Sequence, residues 1–168
     1  MDAGIAYSPA QWANFFSAEV GASAALTGLL FVAISINLSK IISHPQLTAR
    51  SAKTLATLAG VLLAATLCLV PGISAHNLGW ILAFLGAANW LVITVSHVKA
   101  TKGNPYATVF DKIFHSILAQ LSVLPLVVAG VSLAVGRGGG LYWLVGMTLA
   151  SFIAALLDAW VLLIEIQR

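Results

Sequence analysis

Apolar stretches long enough to cross a bilayer recur five times along this chain, at about residues 15–38, 52–70, 78–98, 112–135 and 141–164. A helix rises 1.5 Å per residue, so about 20 apolar residues cover the ~30 Å hydrocarbon layer. The breaks between them have the chemistry of helix ends. Ser8-Pro9 offers a cap and a first-turn proline, Pro71-Gly72 a stop, and Gly136-Arg137-Gly138-Gly139-Gly140 a turn. The fourth stretch starts near Lys112, or as early as Asn104-Pro105, and Pro125 should kink it. Only 8% of residues are charged, 60% are hydrophobic and the mean hydropathy is +0.99, whereas soluble domains carry about a quarter charged residues. Such a chain cannot cover a water-facing surface. In lipid every backbone polar group needs an internal partner, so the expected fold is all-α: one polytopic membrane helix bundle over residues 1–168 with five transmembrane helices. Its first expected partner is the lipid bilayer; no separate soluble domain fits between the spans.

The basic residues are topology signals before they are ligands, so the net charge of +3 is no argument for nucleic acid. Lys40, Arg50 and Lys53 flank the first loop, Lys99, Lys102 and Lys112 the third, and Arg168 ends the chain; Arg137 stands alone in the fourth loop. Five spans place seven of the eight basic residues on one side, and the positive-inside rule puts the N-terminus outside and the C-terminus in the cytoplasm. Trp12, Phe15, Phe16 and Trp143 at the outer ends and Tyr106 near the inner side suit interfacial anchoring. Residues 1–12 contain Asp2 and no Lys or Arg, so a secretory signal is not expected. The single cysteine, Cys68, lies in an apolar run and is expected as a small core residue.

Two carboxylates fall inside spans. Glu19 is ten residues after Pro9, roughly 15 Å along the helix, and Asp158 is ten residues from the C-terminus. A charged group facing lipid costs at least ~2.5 kcal/mol, so each must be neutral, paired or wet. For Glu19 the candidate partners are Arg137, on a glycine-rich loop, and then His76; for Asp158 they are Lys40 and Asn37. Asn37 and Ser23 share the Glu19 face at 100° per residue, giving the first helix a polar stripe that should avoid lipid. Asn89, at mid-depth in the third span, completes a conceivable ion or proton route from Glu19 to Asp158. The alternative is that both acids fix helix register.

On the first helix, Ser17, Gly21 and Ala25 are four residues apart, as are Ala24 and Gly28. Small residues at this spacing let another backbone come close, either within the monomer or in self-association. His97 and His115 end and begin consecutive spans, the minimum for a bis-histidine haem, but Lys99, Asp111 and Lys112 nearby make solvated histidines the simpler reading. The chain has no His-Glu-x-x-His, no Gly-x-Ser-x-Gly and no P-loop, so no catalytic residue, metal or cofactor is expected. Ile42-Ser43-His44 returns as Val95-Ser96-His97, and Leu69-Val70-Pro71 resembles Val123-Leu124-Pro125, a weak sign of duplicated hairpins.

The run from Gly21-Ala22-Ser23-Ala24-Ala25-Leu26-Thr27-Gly28 to Asn37-Leu38, followed by His44-Pro45, resembles the first-helix signature of small bacterial multi-pass membrane proteins, some labelled as modulators of a membrane-bound AAA protease. The resemblance covers mainly the first third of the chain. It implies a bacterial inner-membrane protein and no catalytic residue. Two functions compete: a non-enzymatic membrane component that self-associates or docks on another membrane protein, and a small channel or transporter for protons or cations using the intramembrane carboxylates.

Overall fold

The computed structural model describes residues 4–101 and 109–167. Lys102, Asn104, Pro105, Tyr106 and Arg168, and the side chains of Asp111, Lys112 and Glu165, lie outside the described residues. The described chain is helical, without strands. Two 3-10 turns, Ile5–Tyr7 and Pro9–Trp12, lead into α1 (Ala13–Ile36); α2 (Leu38–Ile42), α3 (Pro45–Cys68), α4 (Ala75–Thr101), α5 (Val109–Leu121), α6 (Leu124–Val135) and α7 (Tyr142–Gln167) follow. Five segments are long and apolar enough to cross a membrane: Pro9–Ile36, Pro45–Cys68, Ala75–Lys99, Ile113–Val135 and Tyr142–Trp160.

The main departure from the hydropathy boundaries is at α3, which begins at Pro45 and not near residue 52. Proline fits a first helical turn, where its missing N–H costs nothing. The start moves Arg50 and Lys53 off the loop and into the helix. The fourth span is two helices, α5 and α6, separated at Ser122-Val123, with Pro125 in the first turn of α6. Proline cannot donate to the preceding turn, so the chain breaks here. The Leu126 N–H bonds the Val123 carbonyl, and the Ser122 carbonyl is taken by the Ser151 hydroxyl of α7 at 3.0 Å.

α3, α4, α6 and α7 form the bundle, with α4 against α3 and α6, and α7 against α3 and α6. The core joins Val61 and Ala64 of α3, Leu82 of α4, Leu126 and Ala129 of α6, and Leu144 and Met147 of α7. Cys68 is buried in it, as its apolar surroundings imply. The backbones of α4 and α6 approach closely. A Cβ on Gly79 would lie 2.7 Å from the Gly130 carbonyl oxygen and press on the Ala134 amide; one on Gly86 would lie 2.9 Å from the Val127 amide. The small-xxx-small pattern that brings backbones together therefore acts at Gly79-x-x-x-Ala83 and Gly130-x-x-x-Ala134.

α1 packs at the edge of this bundle, along α3 with a slight contact to α7. Its buried residues, Phe16, Ser23 and Leu30, are seven apart and form one narrow seam. Phe16 is 1% exposed and belongs to the core, which corrects its reading as an interfacial anchor. The start of α1 is tied to the glycine-rich loop: the Leu141 N–H bonds the Ala6 carbonyl at 2.9 Å, the Gly139 N–H bonds the Tyr7 hydroxyl at 3.1 Å, and the Trp12 ring meets Tyr142 edge-on. Gly140, at φ +53°, has no room for a Cβ beside the Ala6 carbonyl. His44 is an exposed helix cap and His97 a buried helix-interior residue, so the repeated Ser-His pairs occupy unlike environments.

Candidate functional site

The most polar region of the interior lies where α3 meets α7, at the end carrying Lys40, Arg50 and Lys53, called the basic end below. Asp158 is 2% exposed. Its Oδ2 is 2.8 Å from Lys53 Nζ and its Oδ1 3.3 Å from Arg50 Nε. The Thr54 hydroxyl is shared between Asp158 Oδ2, at 3.2 Å, and the Arg50 carbonyl, at 2.9 Å. Arg50, Lys53, Thr54 and Thr57 recur at helical spacing along α3, and the last three of these are buried.

This arrangement corrects the expected partners of Asp158. They are Lys53 and Arg50 rather than Lys40 and Asn37, because α3 starts early enough to carry both cations two turns into the bundle. Asn37 instead caps α1, its amide donating to the Ala33 carbonyl at 3.0 Å. Lys40 is exposed on α2. His97 also departs from its expected solvated state. It is buried, its Nε2 lies 2.9 Å from the Ser116 hydroxyl, and it is within electrostatic range of Lys53, Asp158, His115 and Arg50. Among the described residues no group of three or more His, Cys, Asp or Glu side chains converges as a metal site.

Glu19 sits toward the other end of the membrane layer. It is half-buried and hydrogen-bonded to Thr148 of α7, while its Oε2 has no hydrogen-bond partner among the described residues. Ser23, fully buried one turn on, donates back to the Glu19 carbonyl at 2.6 Å. The polar stripe of α1 thus faces the bundle, as its desolvation cost requires. Neither expected cation reaches Glu19. The His76 ring nitrogen Nδ1 is 3.0 Å from the Ala134 carbonyl. Gly136, at φ +71°, ends α6 in the left-handed conformation that glycine adopts readily, and the loop folds back through the Gly140 N–H to the Ser132 hydroxyl at 2.8 Å. That closure leaves Arg137 exposed.

Thr148 and Asp158 are ten residues apart on α7, about 15 Å along its axis, and both are buried. Between them Ala154 and Ala155 are buried and apolar, and the Ser151 hydroxyl is engaged by Ser122. Asn89 packs against Gly60 at the α3–α4 contact, with its Nδ2 buried and unbonded. Glu19, Asn89 and Asp158 are therefore held at separate contacts: α1 with α7, α3 with α4, and α3 with α7. The small residues Ser17, Gly21, Ala25 and Gly28 are all exposed, and a Cβ on Gly21 or Gly28 would meet nothing within 4 Å. Among the described residues, they are not part of the buried core of the monomer.

No family model, no curated protein and no solved structure matches this chain.

Proposed function

We propose that the protein is a non-enzymatic integral membrane component in which a four-span bundle holds the first span outward as a lateral docking element for a second copy. The observation that carries this reading is the single seam of α1: Phe16, Ser23 and Leu30 meet the bundle, while the opposite face, with Ser17, Gly21, Ala25 and Gly28, is open. Small side chains gain little from burial within one chain but allow close helix approach between chains. In the same reading the chain is a bacterial inner-membrane protein with its N-terminus outside and its C-terminus in the cytoplasm. The placement of Asp158 between Lys53 and Arg50 supports a structural role for this carboxylate.

The test is the size of the assembly in native-like lipid nanodiscs. Wild type should run as a dimer or larger, and Gly21→Leu should reduce it to a monomer by keeping backbones apart. A monomeric wild type would defeat the reading. The unbonded Oε2 of Glu19 favours a second function, proton or cation passage. It requires wild-type liposomes to be leakier than empty ones under an imposed pH or cation gradient, and Glu19→Gln to abolish the difference.

A further inference from the structure

A crevice of about 220 Å³ opens between α1 and α7, over α3. Its walls are hydrocarbon: Leu26 and Ala33 of α1, Leu58 of α3, and Ala155 and Ala159 of α7, with Asn37 near one end. From Leu26 to Asn37 the wall runs eleven residues along α1, about 16 Å, or half the ~30 Å hydrocarbon layer. The crevice is therefore one leaflet deep, and the leaflet is that of the basic end. The α-helical wall stops at Asn37, where the chain passes into α2, and Ile41 of α2 also lines the crevice.

The chemistry changes at that end. Lys40 immediately precedes Ile41 and is exposed. Arg50, part-exposed, holds its guanidinium against Asp158, which lies between the wall residues Ala155 and Ala159 on α7. These charged side chains do not line the crevice itself: Lys40 adjoins the wall residue Ile41 in sequence, and Arg50 and the buried Lys53 are tied to Asp158, which adjoins the wall residue Ala159. Basic residues beside an interhelical groove favour anionic lipid headgroups.

We propose that this crevice is a binding site for an anionic diacyl phospholipid, one acyl chain lying between α1 and α7 and the phosphate at the edge formed by Lys40 and Arg50. A second copy of the chain would fit the slot less well, because a leaflet-deep groove with cations beside one end matches a molecule with a hydrocarbon tail and a negative head. The inference does not depend on the docking role of α1, whose small-residue face points away from the crevice.

The experiment is native mass spectrometry of the full chain in mixed micelles holding equal phosphatidylglycerol and phosphatidylcholine with the same acyl chains. Wild type should retain phosphatidylglycerol at least about fivefold over phosphatidylcholine. Lys40→Gln should lower that preference about fivefold, the equivalent of ~1 kcal/mol per basic residue at an anionic surface. Ala33→Phe fills the crevice and should reduce retention of both lipids, with helicity by circular dichroism confirming the fold. Equal retention of the two lipids by wild type, or undiminished retention by folded Ala33→Phe, would overturn the proposal. Displacement by glycerol phosphate without acyl chains would also overturn it, by assigning a soluble phosphate site. Should Ala33→Phe not fold, a phosphatidylglycerol with a photoreactive group at its acyl terminus decides on wild type. Crosslinks at residues 26–34 and 155–159 support the site, and crosslinks spread over α4 and α5 sink it.

Discussion

Lys53 Nζ lies 2.8 Å from Asp158 Oδ2, and the two side chains are 7% and 2% exposed. The second span is thereby fastened to the fifth by a dry ion pair. Neither charge has water to retreat to, so Lys53 depends on Asp158, while Asp158 is held by Arg50 as well.

Removing the carboxylate alone should cost far more than removing both partners. Asp158→Leu should destabilise by ~3 kcal/mol, since it strands the buried Lys53 charge; Lys53→Met should cost less, because Arg50 still pairs with Asp158, and the double variant should recover much of the loss of Asp158→Leu. Unfolding in graded denaturing detergent measures this. Additive losses in the double variant would show that the pair is not coupled.

Glycine substitutions should separate the two small-residue patterns. Gly130→Ala places a Cβ 2.7 Å from the Gly79 carbonyl oxygen and should cost about 1–3 kcal/mol by overpacking. Gly21→Ala has open space and should leave folding within about 0.5 kcal/mol of wild type. Thermal unfolding of both variants in one detergent reads the contrast, and equal losses would contradict the placement of the α4–α6 contact.

Glu19 should tolerate an amide. Glu19→Gln can keep the bond to Thr148, so stability should stay within about 1 kcal/mol of wild type. Glu19→Leu removes it and leaves the buried Thr148 hydroxyl without that partner, which should cost about 1–2 kcal/mol. If Glu19→Leu proves more stable than Glu19→Gln, the hydrogen bond is not what holds α1 to α7.

The proposed orientation rests on the charge asymmetry of the sequence. A reporter fused after Arg168 should be active only in the cytoplasm, because five spans assign seven of the eight basic residues in the sequence to the side of the C-terminus. Periplasmic activity would reverse the assignment.

The five spans were legible because an apolar run of membrane length has few alternatives, and the break before Pro125 was legible because proline lacks a donor. The partners of Asp158 were not. A hydropathy window starts the second span near residue 52, so Arg50 and Lys53 read as loop-side topology signals. Extending α3 back to Pro45 would have placed Arg50, Lys53, Thr54 and Thr57 at intervals of three and four, a polar stripe that calls for a buried acid. His97 was missed for a similar reason, since proximity to Lys99 suggested solvent. Small residues pointed to α1, whereas the close contact formed between α4 and α6. Spacing alone states that a backbone can approach, and only three-dimensional pairing decides which one does.

The tie between the first and last spans has a consequence for how the protein is made. Tyr7 and Gly139, joined at 3.1 Å, are 132 residues apart in sequence. At typical synthesis rates of 5–20 residues per second, their meeting waits on the order of ten seconds after Tyr7 has left the ribosome's catalytic centre. During that interval α1 has no Leu141 N–H for its Ala6 carbonyl and no Tyr142 ring for Trp12. The contacts that set its position at that end arrive only with the start of α7. The start of α1 is thus fixed only after the rest of that helix can meet α3, and a nascent chain halted before residue 139 would hold that end of the span unlatched.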